Sequence, residues 1–289
     1  RNNALGLRGD LLCSNFNLRR ISRHRLTLNG SSYASTNESF LESDQNDFHP
    51  TDVIEDADGS LLVADTGSWY MICCPTSKVA KPHVLGSIYR IEKRGSPEVK
   101  DPRGLRMDWK SPRVQWLSDD RPLVVSRSID ALAVKKNIDQ LIESKARIPA
   151  IWTLHRIPGH FARESVRGFL NDENPKVIAA AIHSIGLWQD VGSVSSLISI
   201  LSCDDPHLVR LAAMALGKIG SPDAVKPLME AASGDLDEFL KHAITYALFE
   251  IGDIDSLPPN NLIADQVRKM ALVDAESSYA QVMPEIKLA

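Results

Sequence analysis

Cysteine is scarce in this chain: Cys13, Cys73, Cys74 and Cys203 are the only four in 289 residues. None stands in a C-x-x-C, C-x-x-C-H or zinc-finger spacing, so a zinc knuckle, covalent haem on this stretch and a disulfide-built scaffold are excluded. Adjacent Cys73 and Cys74 would face opposite sides of a strand, which makes them poor joint ligands. A strained vicinal disulfide and buried free thiols both remain open for them. Aromatic residues make up only 6%, and no apolar run approaches the roughly 18 residues of a membrane-spanning helix. An excess of one charge is missing too. With 33 Lys+Arg against 37 Asp+Glu, the formal charge of −4 excludes a strongly basic nucleic-acid binder, and 43% hydrophobic residues exclude wholesale disorder. No export signal is visible. The chain opens at Arg1 in what reads as a strand, so it is read as a fragment, with any signal or further domain lying outside it.

What is present divides in two. Residues 1–127 hold 18 basic and 16 acidic residues, whereas 128–289 hold 15 and 21. Turn and strand signals fill the first part and Ala-rich helical periodicity the second. The expectation is a multidomain β-plus-α chain with three parts: residues 1–95 as β structure, 96–122 as a Pro-rich linker, and 123–289 as helical repeats.

In the first part, Gly9–Asn15, Leu18–Thr27 and Tyr33–Leu41 read as strands. Leu28-Asn29-Gly30-Ser31 forms a hairpin signal, because Asn-Gly tolerates positive φ. Thr51–Glu55 and Leu61–Asp65 flank the turn Asp56-Ala57-Asp58-Gly59-Ser60, then Thr66-Gly67 turns the chain into Trp69–Cys73. A loop with Pro75 and Pro82 leads to Ser87–Glu92. Four short antiparallel strands in about 45 residues suit one propeller blade, and the earlier strands the outer part of another. A sandwich would give a similar pattern.

These residues also carry a resemblance. Asp47-Phe48-His49-Pro50-Thr51-Asp52-Val53, the run Asp56 to Gly67, Cys74-Pro75-Thr76-Ser77, and Lys81-Pro82 with Val84 to Arg90 resemble the bacterial membrane-bound dehydrogenase family. The likeness spans roughly residues 5–95. It implies a partial β-propeller of about one and a half blades, similar to that of glucose/sorbosone dehydrogenases and followed by HEAT-like repeats. For the parent protein it implies sugar or alcohol oxidation, a quinone cofactor such as PQQ or haem c, a cytochrome partner, and a bacterial periplasm or cell-envelope location. For the fragment itself it implies no bound cofactor.

His49 and Asp52 are the candidate catalytic residues, at the start of the expected innermost strand. There a neutral imidazole would take a proton from a hydroxyl while Asp52 orients it or binds a cation. The competing reading has both residues tying the strand start to a loop. Asp65 is expected to close a turn through backbone N–H groups, and Trp69 and Tyr70 to pack.

Pro97, Pro102, Pro112 and Pro122 predict an irregular connector, packed down by Trp109 and Trp116. Beyond it the chain repeats. Gly186 and Gly217 stand 31 apart, as do Pro175 and Pro206, and Ala247–Gly252 follows Ala215–Gly220 by 32. Ile151–Leu154 precedes Ile182–Ile185 by 31, and Val267–Leu272 begins a truncated unit. Asp172-Glu173-Asn174-Pro175 and Asp204-Asp205-Pro206 cap helix starts; Gly220 ends a helix; small Ala and Gly positions allow close stacking. The unit resembles a short HEAT repeat, including those of phycobilin-lyase type, with no phycobilin chemistry implied. The expected product is an α-solenoid that binds a protein partner. His155, His183 and His242 fall near equivalent helix positions. At about 10 Å between stacked helices they are too far apart to share one metal. They are expected to be hydrogen-bonded or exposed.

Overall fold

The computed structural model of the chain describes residues 5–7, 9–68, 81 and 83–276. Trp69, Tyr70, Cys73, Cys74, Pro75 and Pro82 lie outside the described residues. The chain divides into two compact units, Arg1–Leu28 with Tyr33–Leu132, and Asn29–Ser32 with Ala133–Ala289. The first unit contains two small three-stranded sheets, and the described residues hold ten α-helices in all.

Strands β1 (Leu11–Asn15), β2 (Arg20–Asn29) and β3 (Ser32–Glu42) form the first sheet in that order. A two-residue turn, Gly30-Ser31, joins β2 to β3, and only its first residue has positive φ (57°). That is the pattern of a type II′ hairpin, in which glycine takes the first central place. The turn therefore sits one residue later than the Asn-Gly signal, with Asn29 ending the strand.

The second sheet contains β4 (Pro50–Glu55), β5 (Leu61–Asp65) and β6 (Ser87–Ile91), with β5 in the middle and both pairings antiparallel. β4 turns into β5 where the sequence placed it: Asp56 N–H donates to Ser60 O at 2.8 Å, and Gly59 takes a φ of 83°. Strand β5 has β4 on one side and β6 on the other, and the strand expected at Trp69–Cys73 lies outside the described residues. Gly86 makes the pairing with β6 possible, since a Cβ there would lie 2.1 Å from Asp65 O.

Cross-strand partners share a face. On the inner face, Val53, Val63 and Tyr89 form one row and Glu55, Leu61 and Ile91 the next. Val63 is fully buried with Ile21 and Phe48, and Leu12, Phe40, Leu41, Val53 and Ile91 pack around them. The two sheets thus share one apolar cluster. The outer face carries the rows Ile54, Leu62, Arg90 and Asp52, Ala64, Ile88. It is apolar at positions where a solvated sheet face would alternate to polar, and Ile54 and Ile88 are 56% and 75% exposed.

The segment read as a linker, 96–122, falls within the first unit. It is irregular apart from a 3-10 turn at Val114–Ser118. Its tryptophans are packed: Trp109 meets Trp116 edge-on at 5.1 Å, and Trp109 Nε1 donates to Gly104 O at 2.7 Å. The Arg127 guanidinium covers the Trp109 ring at 4.2 Å, from α1 (Pro122–Lys135).

In the second unit α2 (Ile138–Ile142) precedes a series of first helices: α3 (Arg147–His155), α5 (Pro175–Trp188), α7 (Pro206–Ile219) and α9 (Glu238–Ile251). Second helices α4 (His160–Gly168), α6 (Val194–Ile200) and α8 (Val225–Ala231) alternate with them, α6 and α8 half the length of the first helices before them. Each first helix packs on the next. The caps are those expected. Asn174 accepts from Lys176 N–H, Asp205 from His207 and Leu208 N–H, and Asp237 from Phe239 and Leu240 N–H. α7 and α9 end at left-handed glycines, Gly220 and Gly252. α5 ends instead at left-handed Gln189, whose Nε2 donates to Lys218 O at 2.8 Å and so satisfies a terminal carbonyl of the next first helix. α10 (Leu262–Glu276) packs on α9 but starts 24 residues after it, so the 31-residue period is not kept there. Buried Leu208, Ala212, Ala215 and Leu216 form the apolar face of α7, with Leu211 half-buried beside them.

The small positions act as spacers. A Cβ on Gly186 would lie 3.2 Å from Ala215 Cβ, and one on Gly217 only 2.7 Å from Ala247 Cα. Cys203 is exposed and Cys13 half-buried; the pair Cys73 and Cys74 lies outside the described residues. No helix among the described residues is long and apolar enough to cross a membrane.

Candidate functional site

His49 precedes β4, in a knot built around Asp65. One carboxylate oxygen, Asp65 Oδ1, accepts from His49 N–H at 2.8 Å and from Gly67 N–H at 2.9 Å. Asp65 therefore closes the turn through backbone donors. The His49 ring stands 4.7 Å from Phe16, and its Nδ1 lies 2.8 Å from Gly67 O. A carbonyl can only accept, so Nδ1 carries the proton. Thr66 N–H and hydroxyl both donate to His49 O. Nearby, Asp47 accepts from Lys81 Nζ and from Ser68 Oγ, and these bonds hold its carboxyl below the usual carboxylate range.

Asp52 is placed differently. A register shift separates it from Pro50, and its side chain is exposed on the outer face of β4. Its Oδ1 accepts from the N–H of Val53 at 2.8 Å. The carboxylate bonded to His49 is Asp65.

The histidines of the second unit are not at equivalent positions, which corrects that expectation. Counting by 31 and 32, His155 matches Gly186, and His183 matches Met214 and Tyr246. His155 Nδ1 lies 2.9 Å from Ser184 Oγ, and its ring stacks on Trp188 at 4.7 Å. Burial, then the charges of Arg156 and His183, push its pKa down. His183 is exposed, 5.7 Å from the Trp152 ring. Among the described residues no group of His, Cys, Asp and Glu is arranged to hold a metal.

The acidic residues of the loops are used internally. Asp190 is buried and receives two bonds of 2.7 Å from Arg167, plus one of 2.8 Å from Ser193 Oγ. Burial alone would raise its pKa; the Arg167 and Ser193 bonds outweigh burial and hold it below the ordinary value.

A groove of about 580 Å³ lies on the first-helix face. α7 contributes Arg210, Met214 and Lys218, which are four residues apart and so lie on one face. α9 contributes Phe239, Lys241, His242, Tyr246 and Glu250 among others, and α10 adds Gln266. Met214, Phe239 and Tyr246 are 39%, 60% and 45% exposed, an unusual concentration of large apolar side chains at one place. Sequence reasoning missed this groove. A usable signal was present, since aligning the repeats at 31 and 32 puts His183, Met214 and Tyr246 in one row off the buried stripe.

Comparison with known proteins agrees with the helical architecture. The family model for HEAT repeats matches residues 164–248, from the middle of α4 to the last turn of α9. A search of curated proteins finds no match for the chain. Residues 164–248 are therefore a HEAT-like helical region.

Proposed function

We propose that this chain serves protein–protein recognition through its HEAT repeats, as an α-solenoid module carrying a partner on its first-helix face. The observation that carries the reading is the exposed apolar groove on α7 and α9, within the matched repeats and away from their buried stripe. Stacked helix pairs bury one face on each other and leave another free for binding. The reading predicts a partner that forms a stoichiometric complex with the purified full chain. Charged replacements in the groove, such as Tyr246→Asp, should abolish that complex without changing the helical circular-dichroism spectrum. A complex indifferent to every groove replacement would count against it.

A second reading attaches to the β unit. In it, residues 1–95 are part of a larger β-propeller, 96–122 link it to the solenoid at 123–289, and the parent protein is a sugar or alcohol dehydrogenase of the bacterial cell envelope. Its supports are the family resemblance and the two-faced second sheet, because a blade is covered by neighbours on both faces. The described residues bring together no donors for a quinone or haem: His49 Nδ1–H is committed to Gly67 O, and Asp52 lies exposed on the outer face. His49→Asn separates the roles of the histidine. An asparagine amide can replace the Nδ1–H donor, so stability should survive while His49→Ala loses about 1 kcal/mol. In a longer polypeptide with dye-linked dehydrogenase activity, loss of turnover in the stable His49→Asn variant would support catalysis by His49, and retention would leave it the loop-closing role.

A further inference from the structure

The solenoid is acidic as a whole, with 21 Asp+Glu against 15 Lys+Arg in residues 128–289, yet its groove is lined by Arg210, Lys218 and Lys241. Two carboxylates share the rim. Glu238 is 4.0 Å from Lys241, and Glu250 approaches the backbone of α7 at Gly217. Lys218 makes no ion pair among the described residues, and His242 is exposed, its ring parallel to Tyr246 at 6.2 Å. Between these charges, Met214, Ala243, Ala247 and Tyr246 give an apolar floor. Capping and internal pairing engage Asp172, Asp190, Asp205 and Asp237, so those acids do not neutralise the groove.

We infer that the groove takes an acidic peptide segment of a protein partner. An apolar side chain of the segment sits between Met214 and Tyr246, and its carboxylates lie over Lys218 and Lys241. Charge complementarity decides the sign of the partner: three cations face two carboxylates on the lining, Arg210 keeps its charge while its Nε donates to the neutral Ser31 O at 2.7 Å, and Lys218 is left without an ion pair among the described residues, so an acidic segment meets the excess charge beside an apolar seat. Aromatic and methionine side chains ringed by charge are the composition of a binding hot spot. The inference rests on the recognition reading above and adds the location and chemistry of the partner.

The test is selection of random twelve-residue peptides displayed on phage against the full chain, followed by fluorescence anisotropy with the enriched peptides. The expected peptides carry net negative charge and at least one large apolar residue. Their affinity should fall at least tenfold on Tyr246→Ala, at least tenfold on Lys218→Glu with Lys241→Glu, and severalfold between 50 and 300 mM salt, as screening requires. Both variants alter exposed side chains, and circular dichroism confirms that they fold. Enriched peptides that are basic, or that bind the Tyr246→Ala variant equally well, overturn the groove while leaving the solenoid a peptide-binding module. Failure to enrich any peptide overturns both.

Discussion

Gly217 and Gly186 occupy the same place in successive repeats but do not carry the same constraint. Alanine at either position gains about 1 kcal/mol of helix propensity. At Gly186 the new Cβ would meet Ala215 side-chain and backbone atoms at 3.2 and 3.3 Å, which a small adjustment relieves. At Gly217 it would meet Ala247 Cα at 2.7 Å, and helix backbone moves only with the whole stack. Overpacking of this kind costs about 1–3 kcal/mol. Thermal melts should therefore show Gly186→Ala within about 1 kcal/mol of the parent chain and Gly217→Ala clearly destabilised. Equal melting temperatures would mean that α7 and α9 stack less closely than described. Asp190 supplies a pH signature at the same scale. Its lowered pKa adds stability that is full above the ordinary carboxylate value near 4 and is lost as pH falls through the lower folded value. Asp190→Ala should cost roughly 2 kcal/mol at pH 7, less than a fully buried pair because Arg167 is 36% exposed. The penalty should shrink as pH approaches 3, measured as the difference in urea midpoint.

At the scale of elements, the helix starts were legible because their chemistry is local. Asn174, Asp205 and Asp237 stand where free N–H groups require an acceptor, and the prolines at 175 and 206 follow in the first turn. Asp205→Ala should lose about 1 kcal/mol, and Asp205→Asn much less. If calorimetry found the two equal, the cap would not be what fixes the start of α7. Strands β4 and β5 were legible for the same reason, through the Asp56 to Ser60 turn between them. The pairing of β5 with β6 was not, because it joins segments more than twenty residues apart in sequence rather than following a local signal, and only the tight fit at Gly86 records it. The bridge from Gln189 to Lys218 O escaped notice similarly: glutamine in a left-handed cap is rare, and its partner is 29 residues away. The groove residues were hidden by type. Methionine and tyrosine are types that a helix core also takes, so nothing in the sequence marks Met214 and Tyr246 as exposed, and only the packing of first helix on first helix leaves them outside.

At the scale of the molecule, two surfaces stand out by exposure. One is the outer face of the second sheet, where Ile54 and Ile88 project from the two strands that flank β5. If that face is uncovered in the isolated chain, Ile54→Lys with Ile88→Lys should raise solubility without lowering the melting temperature; a fall of several degrees would show that the face is already packed. The other is the first-helix face of the HEAT repeats, which carries the central claim of partner recognition. Amide hydrogen exchange of the full chain, alone and bound to its stoichiometric partner, reads that claim most directly. Protection gathered on α7 and α9, residues 206–219 and 238–251, is the result the account predicts. Protection confined to residues 11–91, with 164–248 unchanged, would contradict it.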